Sequence, residues 1–106
     1  MRISSDEKKA FSDVILKYVI PPAELRLFGS RADDSAKGGD IDLLLIVESD
    51  AIRSTIAFNK ADILSEIKTI IGDQKIDLVI TTREKMQSDA FLQSVYPGSV
   101  LLEQFE

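Results

Sequence analysis

Two aspartates one residue apart, Asp40 and Asp42, open an unbroken apolar run from Leu43 to Val47, and nine residues separate them from the pair Gly29-Ser30 upstream. In an extended strand alternate side chains share a face. Asp40 and Asp42 therefore point the same way, about 6.6 Å apart along the chain at ~3.3 Å per residue. Two carboxylates so placed can hold one divalent cation between them, or share two. Hard cations such as Mg²⁺ take oxygen ligands and are usually bound by one or two carboxylates together with substrate phosphates. Gly29 lets backbone approach a ligand closely, and Ser30, opening a helix, offers its hydroxyl and neighbouring N–H groups to an anion. The chemistry implied is a phosphate-gripping turn beside a metal-binding carboxylate pair.

The flanking elements must hold these groups in place. Ser4 with Glu7 reads as a capping box, and Phe11, Val14, Ile15 and Tyr18 recur at helical spacing until Pro21-Pro22 stops the helix. Ala23 to Phe28 has the short apolar look of a strand that stops at Gly29-Ser30. A short helix is expected over Ser30 to Lys37, with Gly38-Gly39 as a joint into the second strand. Arg53 to Ile71 reads as one long helix with Ile56, Ile63, Leu64, Ile67 and Ile70 facing the core and Gly72 ending it. Lys75 to Thr81 reads as a third strand, Arg83 to Tyr96 as a helix, Pro97-Gly98 as a turn and Ser99 to Gln104 as a final edge strand. This alternation predicts an α/β (α+β) fold, a small mixed sheet covered by helices.

Composition restricts the chemistry further. The chain has 106 residues, 44% apolar and 29% charged, the usage of one globular domain spanning 1–106. It contains no cysteine and no histidine, so catalysis must rest on carboxylates, hydroxyls and a metal. The residues from Met1 to Glu7 do not resemble a signal peptide, and no segment approaches the ~18 to 20 apolar residues of a membrane span, so a cytoplasmic protein without membrane contact is expected. A net charge of −5 argues against a nucleic-acid track, which needs clustered Lys and Arg.

Phe28-Gly29-Ser30-Arg31, a short spacer and Asp40-Ile41-Asp42-Leu43-Leu44 together resemble the signature of the DNA polymerase β-type nucleotidyltransferase superfamily, in particular its minimal nucleotidyltransferase branch. That pattern has a third carboxylate on a later strand, and Asp77 in Lys75-Ile76-Asp77-Leu78-Val79-Ile80 fits the place. The resemblance covers Leu25 to Ile80. Many members carry Ala-Arg-Gly after the serine, whereas here Arg31-Ala32 precedes Asp33-Asp34, two charges compatible with a triphosphate only if they face solvent. Gly39 stands where a serine is frequent.

The resemblance implies a polymerase β-like fold and nucleotidyl transfer. Asp40 and Asp42 would position two Mg²⁺ ions, Asp77 would complete the second ion's ligands and accept the hydroxyl proton, and Gly29 and Ser30 would grip the β and γ phosphates of ATP. Arg31 would either steady phosphates or pair with Asp33 or Asp34. Members of the minimal branch are commonly paired with a small all-helical protein of the HEPN type, and several act as antitoxins that adenylylate a tyrosine of that partner. A homo- or hetero-oligomer is implied. A non-catalytic module that neutralises its partner by binding is the alternative. A phosphotransfer domain is disfavoured, because it would place acidic residues at strand ends whereas these carboxylates begin strands.

Overall fold

The computed structural model describes residues 1–35 and 39–106. Its first helix, α1 (Ser5–Leu16), begins with the capping box: the Glu7 N–H donates to Ser4 Oγ at 3.0 Å and the Ser4 N–H donates to Glu7 Oε1 at 2.8 Å. Phe11, Val14 and Ile15 are buried along one stripe. Burying each stabilises the fold by roughly 1.5–3 kcal/mol.

Four strands follow: β1 (Ala23–Phe28), β2 (Ile41–Val47), β3 (Ile76–Thr82) and β4 (Val100–Phe105). They form one mixed sheet in the order β3-β2-β1-β4. β1 runs antiparallel to β2 and β4, and β2 runs parallel to β3 with Asp42 opposite Asp77. A parallel pair needs a long crossover, supplied here by α2 (Asp50–Phe58) and α3 (Lys60–Ile71). The main core packs Leu25, Leu27, Leu43 and Leu45 with Phe11, Ile15, Ile63 and Ile67. The other face carries Phe28, Leu44 and Ile46, covered by Leu92. Thus β2 is buried on both faces, which is why its sequence is apolar without alternation.

Three expected helices differ. The Arg53–Ile71 helix is two helices that start earlier, where Ser49 Oγ accepts from the Ile52 N–H at 3.3 Å. They break at Asn59, whose side-chain amide donates to Thr55 O at 3.0 Å and competes for a helix carbonyl. The buried stripe of α3 follows the i, i+4 line Ile63, Ile67, Ile71, leaving Ile70 at its flank and 60% exposed. The Arg83–Tyr96 helix is likewise two pieces, α4 (Arg83–Met86) and α5 (Ala90–Val95), each started by its own N-cap, the second of which, Asp89, lies inside the expected span. Thr82 Oγ1 accepts from the Lys85 N–H, and Asp89 Oδ1 accepts from the Leu92 N–H. The Ser30–Lys37 helix is a single 3-10 turn, Gly29–Ala32. The part of that expectation on residues 36–38, including the Gly38 half of the glycine joint, lies outside the described residues. Among the described residues no helix is long and apolar enough to cross a membrane.

Candidate active site

The sheet brings the expected carboxylates and the glycine turn to one end of one face. Antiparallel pairing places Phe28 opposite Asp42, so the turn that follows β1 lies over the start of β2. Gly29 has φ 71°, and a Cβ there would overlap Asp42 Oδ2, with Asp42 Cγ at 3.2 Å. Gly39 has φ 91°, and a Cβ there would overlap Ser30 Oγ. Both positions favour glycine by their positive φ, and a side chain at either would also have to displace the neighbouring side-chain oxygen.

Asp77 stands beside Asp42 on the neighbouring strand, where strands lie ~4.8 Å apart. Asp40, just before β2, is paired with Lys75, Nζ to Oδ2 3.4 Å. Burial pushes the Asp42 carboxyl above its ordinary value, and repulsion from Asp77 and then Asp40 adds to it against the opposing charge of Lys75. A divalent cation relieves that repulsion, and the donors are all hard oxygens, so the set fits Mg²⁺ in chemical kind. Among the described residues no three His, Cys, Asp or Glu side chains already surround one point closely enough to hold an ion.

The family model of the nucleotidyltransferase domain matches residues 8–98. The chain belongs to this family. No curated protein matches it. The mixed four-stranded sheet with its helices is consistent with the nucleotidyltransferase fold, and nucleotidyl transfer is the general activity of the family.

Within this nucleotidyltransferase domain Arg31 does not pair with Asp33 or Asp34. Its guanidinium donates to Gly39 O at 3.2 Å, Arg2 O at 3.1 Å and Gln74 Oε1 at 3.5 Å, tying the turn to three distant segments. Asp33 instead accepts from the Ser35 N–H and hydroxyl, and exposed Asp34 pairs with the amino terminus. Both acidic side chains are solvent-facing, the condition under which they tolerate a nearby triphosphate.

Two groups escaped the sequence reading. Arg2 donates to Ser30 O at 2.9 Å and Asp33 O at 3.1 Å, and its own N–H donates to Arg31 O at 2.7 Å, so the N-terminal segment braces the glycine turn. A lone arginine in a polar leader gives no signal of this. The second is Arg26, which lies over the Tyr96 ring at 4.3 Å and donates to Glu24 Oε2 at 2.5 Å and Ser99 Oγ at 2.5 Å. Arg83 approaches the same carboxylate at 3.7 Å. The strand period carries the signal: residues 24, 26 and 28 share the face of Asp42, so a charge there is covered once helices pack on that face.

Proposed function

We propose that this protein is a Mg²⁺-dependent nucleotidyltransferase that transfers AMP from ATP to a hydroxyl of a partner protein, acting in the cytoplasm as the antitoxin to a small helical HEPN-type partner within a hetero-oligomer. The observation that supports it best is the close approach of Gly29 to Asp42 beside Asp77, which sets the glycine turn against a carboxylate pair on adjacent strands. The family membership supports the general reaction; the partner and the nucleotide rest on the resemblance to the minimal branch.

Asp40, Asp42 and Asp77 would hold Mg²⁺, which when bound neutralises triphosphate charge and lowers the pKa of an acceptor hydroxyl. Gly29 and Ser30 orient the β and γ phosphates through backbone N–H groups and the serine hydroxyl. Arg31 and Arg2 keep that turn in shape. Asp77, on the outermost strand and exposed, receives the acceptor proton. A binding module that neutralises without chemistry is favoured by one observation, the exposure of Phe58 at 89%, an apolar side chain suited to a protein contact.

The deciding experiment follows transfer of label from α-labelled ATP with Mg²⁺ into proteins of a source-cell extract. Wild type is expected to label one small protein and Asp42→Asn none. Absence of label with every nucleoside triphosphate, while Asp42→Asn still neutralises the partner, would put the binding module in its place.

A further inference from the structure

Strand β3 is an edge of the sheet among the described residues. The Ile41 N–H donates to Lys75 O at 3.1 Å, and backbone groups alternate along a parallel ladder. Asp77, Val79 and Thr81 therefore turn their main chain toward β2, whereas Ile76, Leu78, Ile80 and Thr82 turn theirs to the open edge. A cleft of about 430 Å³ straddles that edge. Val79, Ile80 and Thr81 form its floor, Asp50 and Arg53 of α2 rise on one face of the sheet, and Lys85 and Phe91 rise on the other. Thr81 is 3% exposed, and its Oγ1 is buried without a hydrogen-bond partner among the described residues. Buried hydroxyls are normally satisfied, and Thr81 is one of the residues that line this cleft.

We propose that this edge is a docking slot in which an extended segment of the acceptor polypeptide adds as a fifth strand beside β3 and delivers its hydroxyl to Asp77. The inference rests on the nucleotidyl-transfer reading above and specifies the substrate for it. Side chains 77, 79 and 81 share one face, and an added strand lies ~4.8 Å away with the same period. A Ser, Thr or Tyr opposite Asp77 then points at the carboxylates. The residue two positions further along meets Val79 and the half-exposed Phe91 ring, so it is apolar. Main-chain hydrogen bonds supply affinity and these two side chains supply selectivity.

The acceptor is favoured over a second copy of this chain for two reasons. The slot is continuous with the candidate active site along a single strand, and two copies would each bring a net charge of −5. In the transfer step the acceptor oxygen bonds to the α-phosphorus while the bond from that phosphorus to the pyrophosphate oxygen breaks. Pyrophosphate leaves with the bonding pair, and the hydroxyl proton passes to the Asp77 carboxylate.

The test begins with the protein labelled from α-labelled ATP in the source-cell extract. The modified residue is mapped, and a synthetic peptide of about six residues, the length of one strand, is made around it. Wild type is expected to label this peptide. Ile80→Pro removes an edge-facing N–H together with a side chain packed against the main core, and Thr81→Val removes the orphan hydroxyl at nearly constant volume. Both are expected to bind Mg²⁺-ATP as wild type does in a direct titration, to melt as folded proteins, and to label the peptide at least about tenfold more slowly. Equal labelling by folded Thr81→Val and Ile80→Pro would overturn the slot and leave the reaction standing. So would an intact partner that is labelled while its peptide is not, which points to a folded acceptor surface. A wild-type dimer that Ile80→Pro splits would assign the edge to self-association. If wild type labels no protein at all, the transfer reading fails and the slot fails with it.

Discussion

At Asp42 three constraints meet: partial burial, the carboxylates of Asp77 and Asp40, and the bare backbone of Gly29. A carboxyl whose value is raised on folding is held charged at neutral pH against its environment. That penalty is absent below the ordinary value near ~3.9, grows as pH rises through the raised value, and is constant above it. In Mg²⁺-free buffer Asp42→Asn is expected to melt a few degrees higher than wild type at pH 7 and the same as wild type near pH 3. Activity moves the other way. Under the proposed function Asp42 would be a metal ligand, and losing a group that contributes several kcal/mol of charge stabilisation would correspond to a fall of roughly a thousandfold in turnover. Gly29→Ala combines a left-handed backbone that side chains rarely adopt with the displacement of the Asp42 carboxylate, so urea unfolding is expected to show a loss of about 1 kcal/mol. Gly98→Ala, with nothing within 4 Å of the added carbon, is the control and should stay within about 0.5 kcal/mol.

Among the elements, the short helices are the most dependent on single side chains. α5 has six residues and is started by Asp89, so Asp89→Ala is expected to cost about 1 kcal/mol. Amide exchange should then rise in α5 before it rises in β2. These helices also show what periodicity can and cannot reveal. The strands were readable within a residue or two, because β1 alternates apolar with charged residues before Gly29 and β2 carries an apolar run before Glu48. The glycine turn and Asp40, Asp42 and Asp77 were readable as a pattern, and the sheet brings them to one end of one face. The break at Asn59 was hidden because Ile56 and Ile63 continue an apolar repeat in phase across it, and the break at Asp89 because apolar residues stand on both sides of it. Their cause is a side chain bonding to local backbone, which hydrophobic spacing does not record. The Arg26 cluster was missed for another reason: its burial comes from Tyr96, more than half the chain away.

On the scale of the whole molecule, Glu7 joins parts that are remote in sequence. Burial pushes its carboxyl up, but hydrogen bonds from the Ser4 backbone, the Gln74 amide and the Ser4 hydroxyl, with the charge of Arg31, outweigh it and hold it below its usual value. Such a group stabilises the fold fully above the unfolded value near ~4.3 and loses that contribution as pH falls through the lowered one. Glu7→Gln should therefore lower the melting temperature at pH 7 and leave it almost unchanged near pH 2. The parallel pairing of β2 with β3 has a consequence in time as well as space. Asp42 and Asp77 become neighbours only when the crossover through α2 and α3 has closed, a non-local and therefore slow contact. A partly folded chain in which β3 has not yet docked holds one half of the carboxylate pair and not the other, so under the proposed function metal affinity during refolding would time the closing of this crossover.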